Sequence, residues 1–248
     1  MAIPIQIFDT PQDASRYVAE LIASSIINRP TCTLGLATGS TPIPVYENLG
    51  IRHQSGELSF ESVSTFNLDE YIGLPEDHPQ SYRSFMNQQL FNHVNIDVTR
   101  THLPTPYRID KNFSAEDVAS QYEAQIVDSA RIDLQLLGIG TNGHIGFNEP
   151  GSSSDSVTRV VDLAASTIQA NSRFFDQPDH VPRQAITMGI STILRARKIV
   201  LMATGASKAD AIAGAINGPI STDNPSSFLQ DHSDVVMVLD RDAASAIA

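Results

Sequence analysis

The stretch from Asp133 to Pro150, DLQLLGIGTNGHIGFNEP, limits what this chain can fold into more than any other. Leu134 to Leu137 is an apolar run too short for a helix and reads as a buried strand. Gly138, Gly140, Gly143 and Gly146 follow closely, a density that admits positive φ and close approach of backbone to a ligand. In and just beyond this turn stand an amide, an imidazole and a carboxylate: Asn142, His144 and Glu149. In α/β sheets, ligands bind beyond the carboxyl ends of the strands, which is where these groups fall. A histidine beside a carboxylate moves protons near neutral pH. The same residues also suit a tight turn whose histidine only caps backbone groups, and spacing alone does not decide between the two.

The rest of the chain repeats the strand-to-turn theme. Ile5 to Phe8 reads as an edge strand, and Thr10-Pro11-Gln12-Asp13 as a helix start with Thr10 as N-cap. Val18, Leu21, Ile22 and Ile26 give that helix one buried face. Thr33 to Ala37 is a strand running into Thr38-Gly39-Ser40-Thr41-Pro42, after which a helix buries Val45, Tyr46 and Leu49. A strand, a hydroxyl-rich glycine turn and a helix N-terminus form an anion site. No lysine follows the glycine, so this is not a Walker loop, and a simple N-cap turn is the competing reading. Val63 to Leu68 is a third strand, ending in Asp69-Glu70-Tyr71. Successive side chains diverge, so one of the two carboxylates faces the cleft, as a candidate base, and the other serves structure.

Ser81 opens a helix with Phe85, Leu90 and Phe91 buried, and residues 100–109 read as irregular. Ser114-Ala115-Glu116-Asp117 is a capping signal before a helix that buries Val118, Tyr122 and Ile126. Further strands are expected at 157–163, 185–188, 198–203 and 235–239. Arg173 lies beside two aromatics in a segment that is either a cover over a site or a packed helix turn. Thr204-Gly205-Ala206-Ser207-Lys208 repeats the glycine–hydroxyl theme at another strand end, here with a lysine. Strands and helices alternate throughout, which predicts one α/β domain over residues 1–248: a doubly wound, mostly parallel, Rossmann-like sheet flanked by helices.

Composition removes several function classes. The net charge is −12 and no basic patch is visible, so nucleic acid is not an expected partner. No apolar run approaches the ~20 residues needed to span a bilayer, and the N-terminus does not read as a signal peptide. Cys32 is the only cysteine, which excludes an intrachain disulfide and a cysteine-based metal site and fits a reducing, cytoplasmic setting. Three strand ends therefore collect the chemistry, at Thr38–Thr41, Asp69 and Asn142–Glu149, with Arg173 and Lys208 available as cations. A hydroxyl–glycine loop with two cations suits a phosphate. A separate carboxylate and a His–Glu pair suit acid–base work on a polyol. Together they point to a sugar phosphate undergoing proton transfers, with neither metal nor redox cofactor.

The segments LATGSTP at 36–42, TFNLDEY at 65–71, GIGTNGHIGFNEP at 138–150, ANSRFF at 170–175 and GASK at 205–208 resemble glucosamine-6-phosphate deaminases, in the same order along the chain. That resemblance implies conversion of glucosamine 6-phosphate and water to fructose 6-phosphate and ammonia, in amino-sugar catabolism. It implies Asp69 as the base moving a proton from C2 to C1, and His144 as the group that opens the pyranose ring. Asn142 and Glu149 orient the histidine. Thr38, Gly39, Ser40, Thr41, Arg173 and Lys208 hold the phosphate, and the Arg173 segment closes as a lid. Asn142 stands where some members have aspartate; an amide orients His144 without stabilising its cation as a carboxylate would. Val161 replaces a second basic residue of members activated by N-acetylglucosamine 6-phosphate, and the chain ends at Ala248. No allosteric activation is therefore expected, and a monomer or small homo-oligomer is. Two alternatives are a 6-phosphogluconolactonase, whose turn typically continues Ser-Leu-Phe-Pro, and a non-catalytic sugar-phosphate sensor. Glu70, His53, His102, His180 and His232 are expected to serve structure.

Overall fold

The computed structural model describes residues 3–105, 114–129, 131–172, 175 and 181–247. Its strands are β1 (Ile5–Phe8), β2 (Thr33–Leu36), β3 (Ser64–Asn67), β4 (Asp69–Tyr71), β5 (Thr101–His102), β6 (Leu134–Leu137), β7 (Arg159–Asp162), β8 (Gln184–Thr187), β9 (Lys198–Ala203) and β10 (Val235–Asp240). The α-helices are α1 (Pro11–Asn28), α2 (Ile43–Gln54), α3 (Tyr82–Gln89), α4 (Ala115–Asp128), α5 (Ala165–Ser172), α6 (Ile190–Leu194) and α7 (Ala209–Asn217). Among the described residues no helix is long and apolar enough to cross a membrane.

Seven strands pair in the order β1-β10-β9-β6-β2-β3-β5, every neighbour parallel. β2 and β6 are buried at every position, as expected of strands covered on both faces. The local signals act as the sequence predicts. The Thr10 hydroxyl accepts from the Asp13 N–H at 3.1 Å, with Pro11 opening α1. Ser114 and Asp117 form a reciprocal capping box. Ala14, Val18, Ile22 and Ile26 of α1 are buried, and each such Val or Ile contributes about 1.5–3 kcal/mol of burial free energy.

From β2 the chain proceeds outward through β3 to β5. From β6 it proceeds the other way, through β9 to β10. The crevice between β2 and β6 is therefore the topological switch point, where open α/β sheets bind ligands.

Two expectations change. Residues 100–109 are not wholly irregular, because Thr101–His102 adds an edge strand beside β3. The doubly wound sheet is also not the only one. β4, β8 and β7 form a separate antiparallel sheet in that order. Apolar alternation marks a strand without naming its partner, so the sequence placed these three in the main sheet. Smaller differences are Phe85 and Val118, which are only partly buried, with Ala119 fully so in α4. His53 contacts the Leu58 carbonyl, His102 stacks on Phe66 and His232 contacts the Ala196 carbonyl, all structural uses; His180 lies outside the described residues.

Gly189 joins β8 to α6, and a Cβ there would stand 2.2 Å from the Ser156 carbonyl oxygen and 2.5 Å from that of Val157. Backbone cannot swing aside as a side chain does, so Gly189→Ala should cost about 1–3 kcal/mol in urea unfolding. Gly50 lies inside α2, and the nearest contact of a Cβ there is His93 Cβ at 3.6 Å. Gly50→Ala should instead stabilise by up to about 1 kcal/mol through helix propensity.

Candidate active site

A cavity of about 400 Å³ opens at the switch point. Its walls come from Thr38 to Thr41 after β2, Asp69 at the start of β4, Gly138 to Thr141 and His144 after β6, and Lys208 before α7. Residues far apart in sequence, singled out there for their chemistry, thus face one space. Arg173 lies outside the described residues.

The turn after β6 is built to bring three side chains together. The Gly140 N–H donates to the His144 carbonyl at 2.8 Å, and the Gly143 N–H to the Gly140 carbonyl at 3.1 Å. A Cβ on Gly140 would meet the His144 ring at 2.2 Å, so glycine is required for the imidazole to lie there. His144 Nδ1 is 2.7 Å from Asn142 Oδ1 and 3.3 Å from Glu149 Oε1. Asn142 Nδ2 donates to Glu149 Oε2 at 2.6 Å, and the Thr167 hydroxyl donates to Glu149 Oε1 at 3.3 Å. The orientation follows from the carboxylate: an ionised Glu149 accepts only, so the Asn142 amide turns its nitrogen toward it and its oxygen toward His144. That oxygen demands a proton on Nδ1, which leaves Nε2 as the other ring nitrogen, free to accept. The His144 contact, then those of Asn142 and Thr167, hold the Glu149 carboxyl below its ordinary range against the opposing effect of burial.

Asp69 is 6% exposed. Burial, and after it the charge of Glu70, push its carboxyl up to about 8. It stands beside Gly146 of the glycine turn. Gly146 has φ +56°, and a Cβ there would stand 3.0 Å from Thr187 Oγ1 and 3.4 Å from Asp69 Oδ2. Glu70 points the opposite way. Its oxygens accept from the N–H groups of Tyr71, Tyr82 and Arg83 at 2.9, 3.0 and 2.9 Å, so it caps α3. Burial raises this carboxyl too, while the three amides and Arg83 oppose the rise. The expected division of labour, one carboxylate in the cleft and one in the structure, is what the geometry gives.

The hydroxyl loop is not spent on capping. α2 is preceded by Pro42 with no side-chain cap bond, which leaves the Ser40 and Thr41 hydroxyls at a helix N-terminus, while the Thr38 hydroxyl hydrogen-bonds the Tyr82 phenol. Tyr46 fixes the strand end by donating to the Ala37 carbonyl at 2.5 Å. Lys208 is half-buried, burial lowers its pKa, and among the described residues no carboxylate pairs with it. Its loop is held from below by Asp240, both of whose oxygens lie 3.0 Å from the Gly205 N–H.

Tyr82, Thr167 and Asp240 were not singled out from the sequence. Tyr82 lines the cavity, and its phenol donates to that of Tyr71 at 3.1 Å. Its position directly after the Ser81 cap was a usable signal, since it places the ring in the first turn of a helix that abuts Glu70. Thr167 and Asp240 carried none, because both act through side chains far away in sequence.

Residues 9–238 match the family model described as glucosamine-6-phosphate isomerases/6-phosphogluconolactonase. A Rhodopirellula baltica protein named glucosamine-6-phosphate deaminase is 52% identical over 99% of this chain and 96% of its own length. A solved structure described as a monomeric glucosamine-6-phosphate deaminase superposes with a TM-score of 0.94 at 43% identity, covering 98% of this chain and all of that one. A 6-phosphogluconolactonase from Leishmania guyanensis superposes with a TM-score of 0.78 at 22% identity over the full length of both, a likeness of fold alone. The chain belongs to the glucosamine-6-phosphate isomerase/6-phosphogluconolactonase family.

Proposed function

We propose that this protein is a glucosamine-6-phosphate deaminase, hydrolysing glucosamine 6-phosphate to fructose 6-phosphate and ammonia. The observation that carries the reading is a buried carboxylate, Asp69, lining the same cavity as the hydroxyl loop and His144, the imidazole that Asn142 and Glu149 hold. The phosphate sits on the loop Thr38–Thr41 and on Lys208, whose unpaired, half-buried ammonium suits an anion; Arg173 joins them. His144, accepting through Nε2, exchanges a proton with the anomeric hydroxyl and the ring oxygen and opens the pyranose. Asp69 then removes the C2 proton and delivers it to C1 through an enolamine. The double bond moves to leave an imine at C2, and water hydrolyses it to the ketone with loss of ammonia. Holding the phosphate remotely positions C2 against Asp69, which is binding energy used for orientation. The chain acts in the cytoplasm, as a monomer or small homo-oligomer.

The lactonase reading is weaker on one specific point. Lactone hydrolysis has no need of a base for a C–H bond, whereas this cavity is lined by a buried carboxylate, Asp69, together with His144. Ammonia release from glucosamine 6-phosphate, run beside 6-phosphogluconolactone hydrolysis, separates the two. Ammonia without lactone hydrolysis is expected, and Asp69→Asn should lower the rate by about 10²–10⁴-fold. Lys208→Ala should chiefly raise KM for the phosphorylated substrate.

Asp69 also sets a pH dependence. Its carboxyl holds a proton up to about 8 in the folded, empty site, so kcat/KM should rise with pH through that region. The substrate's ammonium group favours the carboxylate, so the acid limb of kcat should lie lower than that of kcat/KM. Stability runs the other way. The unfolded chain ionises Asp69 in the ordinary carboxylate range, so the folded state loses stability as pH rises from there to about 8. Asp69→Asn removes that loss. The Tm of the variant should exceed that of the wild type by a margin that grows between pH 5 and 8 and is flat above; a margin independent of pH would contradict the assignment.

Of the basic residues expected in relatives activated by N-acetylglucosamine 6-phosphate, this chain keeps Arg159 and has Val161 in place of a second. The Arg159 guanidinium donates to Asn148 Oδ1 at 2.9 Å and to the Ser152 hydroxyl at 3.3 Å, and Val161 packs into the small apolar cluster of the second sheet. Velocity should therefore be hyperbolic in substrate and unchanged by N-acetylglucosamine 6-phosphate; sigmoidal kinetics relieved by that ligand would refute this.

A further inference from the structure

Residues 218–234 offered no chemistry in the sequence, yet they touch the acid–base turn at both ends. The Ser226 N–H donates to the Gly143 carbonyl at 2.9 Å, and the Gly151 N–H donates to the Thr222 carbonyl at 2.8 Å. Gly143 is the residue between Asn142 and His144. Its φ is +84°, and a Cβ there would stand 2.1 Å from Asn224 Oδ1. On the opposite side, a Cβ on Gly214 of α7 would stand 2.6 Å from Asn224 Nδ2. The Asn224 amide therefore fills the gap between the turn and α7, and only glycine on each side admits it.

The amide is itself held. The Ser226 hydroxyl donates to Asn224 Oδ1 at 2.6 Å, and the Asn224 N–H donates to the Ser221 carbonyl at 3.2 Å. Ser226 and Ser227 are fully buried, and Ser227 Oγ accepts from the Ser221 N–H at 2.9 Å. Gln230 Nε2 ties the segment to the end of α7, donating to the Ala215 and Gly218 carbonyls at 3.0 Å each. The Ser226 N–H holds the Gly143 carbonyl, and rotation of that peptide would tilt Asn142 and His144 together.

We propose that Asn224 is a positioning residue for His144. It sets the spacing between the Asn142–His144 turn and helix α7, whose leading end carries Lys208. The imidazole and the anion-binding ammonium then keep a fixed relation. The kinetic arm of the test rests on the deaminase reading; the spectroscopic arm does not.

The test uses Asn224→Ala, which removes the spacer, and Gly214→Ala, whose methyl group drives the amide toward Gly143. The second exchange otherwise favours a helix, so loss of folding is not its expected effect. Both variants should lower kcat by about tenfold or more, as misplacement of a proton-transfer group does, and leave KM within about twofold. In ¹⁵N spectra of the imidazoles, the His144 signals, assigned by His144→Gln, should move in both variants while those of His53 and His232 stay in place. The double variant should be no worse than Asn224→Ala alone, because the clash has gone. Unchanged kcat and His144 signals with only a lower Tm would make Asn224 structural and overturn the proposal. Absence of ammonia release by the wild type would defeat the deaminase reading, and the His144 signals would then decide the proposal by themselves.

Discussion

The peptide groups of Leu68 belong to both sheets, and the site depends on that. Its N–H donates to the Leu36 carbonyl of β2 at 3.2 Å, and its carbonyl accepts from the Met188 N–H beyond β8 at 2.7 Å. The chain thus leaves the parallel sheet at the carboxyl end of β3 and enters the antiparallel one a residue later. Asp69 is the first residue past this joint and pairs with Thr187. It reaches the switch point because the joint is there, one strand away from the crevice between β2 and β6. Period-two alternation then separates two adjacent carboxylates. Asp69 is turned to the cavity and Glu70 to the three amides that begin α3. A slip of one residue at Leu68 would exchange their roles, placing the helix cap in the cavity and the base at a helix end.

The second sheet supports the acid–base turn as well as the base. Asn148 is fully buried and its amide donates to the Ile145 and Met188 carbonyls at 2.8 Å each. The Phe147 N–H donates to the Thr187 hydroxyl at 3.1 Å. Hydrogen bonds to β8 and its end therefore pin the stretch between His144 and Glu149 at two points. Glu149 follows directly after Asn148, so the carboxylate that orients His144 is set by the same strand that pairs with Asp69. Asp69 and the His144–Asn142–Glu149 group therefore share one support, which keeps their relation fixed.

What was legible in the sequence was local. Caps at Thr10, Ser81 and Ser114, the apolar face of α1 and the four buried residues of β6 were all read from neighbouring residues, and the structure agrees. The candidate residues Thr38–Thr41, Asp69, Asn142, His144, Glu149 and Lys208 were found because each stands at a strand end beside glycine or a second polar group. What was not legible was pairing. Nothing within residues 157–163 or 185–188 states that they face each other antiparallel rather than joining β2 and β6. The Thr101–His102 strand is too short for a period to show. Asn224 and Asp240 escaped for the same reason: each acts on a glycine some 35 to 81 residues distant, a relation that only the folded chain creates.

The negative charge of the chain is less of an obstacle to an anion than its total of −12 suggests. Position 69 in the cavity and position 142 beside His144 could each carry a charge and do not. Burial keeps a proton on Asp69 until about 8, so at neutral pH the empty site holds a neutral carboxyl there. Position 142 carries an amide, which gives the imidazole an acceptor without adding a charge. Glu149 remains, and its charge is occupied by His144, Asn142 and Thr167. A phosphate arriving at the hydroxyl loop thus meets the ammonium of Lys208 and helix amides before it meets an exposed carboxylate. The burial that keeps Asp69 protonated thus also keeps a negative charge out of the cavity. In the deaminase reading, the amine of the bound sugar then supplies the positive charge that restores the carboxylate where the C2 proton is to be taken.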